Sequence, residues 1–199
     1  MKMDEYRPYW LDWMPDTKAR QAEACSRYAG HMLKDSGPGR WYISDGTSHL
    51  WAEIACLRGG RIAAIGDGPD IIVRCSDWNT SLGGRLRWLA GGEAGYIASK
   101  IDNAWAWDVE HALEKVWDVV SEWAGDPDYE DWTWERCGSL MGSLRYADEE
   151  GDFVERVMAG GIDEPWEYGF GRIVKNDVLM AIAAARRVVE LLDKETGDE

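Results

Sequence analysis

Residues 40–76 read RWYISDGTSHLWAEIACLRGGRIAAIGDGPDIIVRCS, and this stretch decides the fold class. Trp41-Tyr42-Ile43, His49 to Leu57, Arg61 to Ile65 and Asp70 to Cys75 are short runs of β-branched, aromatic and small apolar residues. Asp45-Gly46, Gly59-Gly60 and Asp67-Gly68-Pro69 punctuate them. Connections of so few residues cannot carry a crossover helix, so the runs predict an antiparallel meander rather than βαβ units.

On the N-terminal side, Pro8 and Pro15 bound a segment with Tyr9, Trp10 and Trp13, read as an arm lying on the core. Pro15-Asp16 then opens a helix, capped by Asp16 or Thr17, whose periodic positions include Ala19, Ala22, Tyr28, Ala29 and Met32. Asp35-Ser36-Gly37-Pro38-Gly39 ends it. Beyond Cys75 the glycine and proline punctuation thins, and helical spacing predicts helices near 80–90, 93–101, 103–124, 132–146, 149–159 and 174–194. The expected class is α+β: a small antiparallel sheet over about residues 40–76, an N-terminal helix and a C-terminal set of helices. A chain of 199 residues reads as one domain, in which residues 1–101 contain the sheet and residues 102–199 are acidic and helical.

Charge divides the chain unevenly. Between Asp102 and Glu167 nineteen acidic residues stand against Lys115, Arg136, Arg145 and Arg156, and the rest of the sequence is balanced, so this third carries the whole formal charge of −15. Such a block repels itself, and a strongly positive partner is the simplest reason to keep it. Phosphates repel carboxylates, which argues against direct binding to nucleic acid or to an anionic membrane. Thirteen Trp and eight Tyr argue against disorder. The N-terminus has acids where a signal peptide needs an apolar run, and Val178 to Ala185 is too short to span a bilayer. Cys25, Cys56, Cys75 and Cys137 form no C-x-x-C pair. The expectation is a cytoplasmic protein with reduced thiols.

The predicted helix 103–124 carries the clearest pattern. With Val109 at zero on a helical wheel, Trp105, Ala112, Leu113, Val116, Val120 and Trp123 fall within about 60° and form a core face. Glu110, Glu114, Asp118 and Glu122 recur every four residues on the outer face, about 6 Å apart along the axis. Trp107 falls among them at about 160°, where an aromatic reads as an interface anchor. The alternative is a solvated helix face with Trp107 packed under the next segment. Asp126, Asp128, Tyr129, Glu130, Asp131, Trp132 and Trp134 follow as an acidic-aromatic segment. Asp148-Glu149-Glu150 and Asp163-Glu164-Pro165-Trp166-Glu167 come after it.

Asp126-x-Asp128-x-Glu130 opens like a calcium loop, but Asp131 replaces the required Gly and Cys137 the bidentate Glu. No cofactor or metal is expected. His31, His49 and His111 have no metal-ligand spacing, and neither a G-x-S-x-G elbow nor a phosphate loop is present. Cys25 with His31, or Cys56 with His49, are the residues a nucleophile pair would use; each cysteine sits in an apolar pattern and reads as buried and inert. Arg58, Arg61, Arg74, Arg85 and Arg87 accompany the sheet and its following helix, either solvated or as the contact for a second copy in a homodimer.

In size, charge and Trp content the chain is similar to small acidic inhibitors, namely anti-CRISPR and anti-restriction proteins of phages and immunity proteins against nucleases. The expected function is occupation of the basic, nucleic-acid-binding surface of a larger effector by polyanion mimicry, without catalysis. Two rivals are a metal-assisted hydrolase using carboxylates from 126–135 or 148–155, and a virion or structural assembly protein.

Overall fold

A computed structural model describes residues 17–47, 50–75 and 81–197. The N-terminal arm, the Asp16 or Thr17 cap and His49 lie outside the described residues or side chains. The chain forms two compact units. One takes residues 17–105 and 174–197, and the other residues 106–173.

The first unit is built on a five-stranded antiparallel meander: β1 (Met32–Gly37), β2 (Arg40–Ser44), β3 (Trp51–Cys56), β4 (Arg61–Gly66) and β5 (Asp70–Arg74), paired in chain order. Alternation places Trp41, Ile43, Ala52, Ile54, Ile62, Ala64, Ile71 and Val73 on the buried face. The expected four runs are all strands, and the class is α+β. The sheet begins earlier than expected, however. The first helix, α1 (Thr17–Arg27), stops short, and Met32, expected on that helix, opens β1. Lys34-Asp35-Ser36 has little strand propensity of its own; pairing with β2 overrides it. Pro38-Gly39 is then a two-residue hairpin turn. Gly39 has φ 77°, a region other residues avoid, and Leu82 and Cys56 fill the space a Cβ would need.

Helices α2 (Leu82–Gly91) and α7 (Asn176–Gly197) pack on this sheet, and α1 packs on α7. Ser81 caps α2 by accepting from the Gly84 amide at 3.1 Å. Every residue from Val178 to Ala185 is buried, which is the pattern of a helix enclosed on all sides. Its alanines let neighbouring backbones come close. Arg186 Nε donates to the Ala90 carbonyl at 2.8 Å and satisfies an orphan acceptor at the end of α2. Although α7 follows the acidic third in sequence, it belongs to the sheet-containing unit. A short helix, α3 (Ala94–Ala98), completes this unit.

The second unit is helical: α4 (Val109–Gly125), α5 (Trp134–Leu144) and α6 (Glu150–Ala159). Its core comprises Leu113, Val116, Trp117, Val120, Cys137, Met141, Leu144, Phe153, Val157 and Ile162, with others. Strands β6 (Trp105–Trp107) and β7 (Arg172–Val174) pair in a separate two-stranded sheet. Among the described residues no helix is long and apolar enough to cross a membrane.

Candidate functional site

Helix α4 begins at Val109, not near 103, because Asp108 is its N-cap. The Asp108 carboxylate accepts from the His111 amide at 2.9 Å, and the Asp108 amide donates to the Gly171 carbonyl at 2.8 Å. Trp105 and Trp107 therefore stand on a strand and not on the helix. This overturns the placement of Trp107 on the acidic face. Trp107 is half-buried, meets Phe153 edge-on at 5.9 Å between centroids, and packs against the helical core. Gly171, at φ 71°, makes room for it: a Cβ there would stand 2.5 Å from the indole nitrogen.

The inner face of α4 buries Ala112, Leu113, Val116 and Val120 as its spacing predicts, and Trp117 as well. Glu110, Asp118 and Glu122 are exposed and Glu114 is half-buried. The ladder is partly offset from within the helix. Lys115 Nζ reaches Asp118 at 4.0 Å. Glu110 also lies in the first turn, where the helix dipole favours an acid.

After α4 the chain turns on itself. The Asp126 carboxylate accepts from the Asp128 amide at 2.9 Å, and the Tyr129 and Trp132 amides close two further turns. Asp126, Asp128, Glu130 and Asp131 are all exposed. Among the aromatics Trp132 is only 8% exposed, with the Arg136 guanidinium 4.3 Å over its ring, and Trp134 is half-buried against Trp117. Tyr129, at 42%, is the exposed one of the segment.

The turn assembles a feature that spacing does not reveal. Trp123 stacks on Tyr129 at 5.2 Å and 13°, meets Trp132 at 5.0 Å, and meets Tyr168 edge-on at 6.3 Å. Tyr168 stacks on Phe170 at 5.2 Å and is 41% exposed. Rings from three segments thus form one aromatic step, whose neighbours in the chain are Glu122, Asp126, Asp128, Glu130, Asp131 and Glu167, all exposed. Tyr168 escapes sequence reasoning because Trp123, which joins it to the step, lies far away in the chain; its local signals are the preceding Pro-Trp-Glu and Phe170 two residues on.

Asp148, Glu149 and Glu150 are exposed at the start of α6. A helix N-terminus stabilises such charges by itself. A cavity of about 460 Å³ opens between α5 and α6, lined by Arg136, Ser139, Leu140, Ser143, Arg156 and Gly160 among others, and among the described residues no carboxylate lines it. Among the described residues no three His, Cys, Asp or Glu side chains are grouped as metal ligands.

The four cysteines are free thiols. Cys75 and Cys137 are buried as expected, while Cys25 and Cys56 are half-buried. Burial pushes the Cys137 and Cys56 thiols above their ordinary pKa. His31 is buried with Nε2 3.1 Å from the Leu50 carbonyl, so that nitrogen is committed to the backbone. Comparison with protein-family models, with curated proteins and with solved structures yields no match.

Proposed function

We propose that the acidic helical unit is a binding module that docks on the positively charged, nucleic-acid-binding surface of a larger effector and blocks it as a polyanion mimic. The supporting observation is the aromatic step: Tyr129 and Tyr168, both exposed, sit in a stretch of chain whose carboxylates are held outward rather than gathered in a cavity. An outward array of charges steers and orients a basic partner, whereas acid catalysis needs carboxylates that converge. The aromatic rings supply apolar contact area of the kind bases present, on rigid side chains with little entropy to lose. Free thiols at Cys25 and Cys56 suit a reducing compartment, and we place the protein in the cytoplasm. In this reading it acts by stoichiometric occupancy, as anti-defence proteins of phages and nuclease immunity proteins do.

The test is a titration against a basic nucleic-acid-binding effector recovered from the host. Tyr129→Ala and Tyr168→Ala should each weaken binding about tenfold or more. Replacing Glu110, Glu114, Asp118 and Glu122 together with Gln should slow association, and salt should slow the wild type in the same way. Unchanged affinity in all three variants rejects the surface. Silencing of the effector by a small fraction of an equivalent rejects stoichiometric blocking.

A further inference from the structure

We infer that the chain forms a two-fold homodimer in which strand β5 pairs antiparallel with β5 of a second copy, centred on Ile72. The inference concerns the sheet-containing unit and does not rest on the role proposed for the acidic one.

Among the described residues β5 is the edge of the sheet: it pairs with β4 on one side, and the strand order ends there. The Cys75 amide donates to the Gly60 carbonyl at 2.8 Å, so Cys75 points its backbone groups toward β4. The register is regular from Arg61↔Arg74 to Ile65↔Asp70. In an antiparallel ladder this direction alternates from residue to residue, so Val73 and Ile71 also face β4, and Asp70, Ile72 and Arg74 present their N–H and C=O groups outward. The same three side chains are exposed on the outer face, and Ile72, at 59%, is the most exposed of the large aliphatic side chains described.

Edge strands are normally guarded by charge. Here the two charges are opposite in sign and equidistant from Ile72. A second β5 laid antiparallel sets Asp70 against the other copy's Arg74 at both ends and Ile72 against its equivalent at the centre. Each of these pairs is of the hydrogen-bonded type, so every outward backbone group of the three residues gains a partner. Parallel pairing would instead oppose like charges, which disfavours it.

The arrangement also relieves a local conflict. Arg61 and Arg74 face each other across β4 and β5 in a pair of the closer, non-hydrogen-bonded type, and both are exposed. Neither makes an ion pair among the described residues, and like charges directly opposite destabilise a sheet. In the dimer each Arg74 has a carboxylate on its other side. The occupant is therefore a second copy, selected by charge order along five residues.

Sedimentation equilibrium of the full chain should show a monomer–dimer equilibrium, with the larger species at twice 22.5 kDa. Asp70→Arg and Arg74→Asp should each be monomeric, because each sets like charges together, and mixing the two should restore the dimer as a heterodimer. Ile72→Lys should weaken dimerisation about tenfold or more, with an unchanged circular dichroism spectrum because the side chain is exposed. A wild type that stays monomeric at its solubility limit overturns the inference. So does an Ile72→Lys protein that dimerises like the wild type, or charge variants that dimerise alone as well as when mixed.

Discussion

Arg136 shows how a base survives among nineteen acids. Its guanidinium lies over Trp132, and it donates to the Asp131 carbonyl at 3.2 Å and the Gly160 carbonyl at 2.9 Å. One planar group with several donors can do all three; an ammonium cannot. Gly161, at φ 96°, is required beside it, because the space a Cβ would take is held by Arg136 Nη2. Arg136→Ala should therefore cost about 2 kcal/mol, from a cation–π contact and two carbonyls left without a charged donor. Arg136→Lys should recover only some of this. Denaturant unfolding followed by Trp fluorescence measures both, and a loss within error for Arg136→Ala would show that the contacts are idle.

At the scale of elements, α2 and α7 are tied at the surface by Arg87, whose guanidinium binds both carboxylate oxygens of Asp193. Hydrogen bonds from Arg87 hold the Asp193 carboxyl below its ordinary pKa. A carboxyl whose folded pKa is depressed adds stability above its unfolded pKa and loses it as pH falls through the folded value. Acidification below the usual carboxylate range should thus loosen this tie, and Arg87→Ala should remove that share of the acid sensitivity. Both groups are exposed, so the effect is small. Comparing the pH dependence of the thermal midpoint in wild type and Arg87→Ala checks it; identical slopes would count against the tie. Element by element, spacing predicts four of the five meander strands and the α4 core face, because those patterns are local. It misses β1, β6 and β7, short segments that become strands only by pairing.

For the whole molecule the two units differ in charge as well as in architecture. Residues 106–173 hold eighteen acids and five bases, while the sheet-containing unit is balanced. Self-repulsion of this size weakens a compact state and is screened by salt. Raising salt should therefore raise the thermal midpoint of the acidic unit while it slows association with a basic partner. The variant with Gln at 110, 114, 118 and 122 should be at least as stable as wild type at low salt and gain less from added salt, since three repulsive i,i+4 pairs are gone. Calorimetry across a salt series measures this. A midpoint that falls with salt would mean that native ion pairs outweigh the repulsion.

The sequence alone determines the α+β class, the antiparallel order of the meander, the buried stripe of α4 and the placement of the charge in one third of the chain. Each of these follows from period, punctuation or composition within a few turns of backbone. The tertiary structure alone decides that α7 joins the sheet, that Trp107 packs inward, and that Tyr168 comes to Trp123. These depend on contacts between residues far apart in the chain, where packing, not local propensity, sets which face of an aromatic meets water. The charge order of β5 is readable from Asp70 to Arg74, but only the strand order of the sheet shows that this strand is an edge.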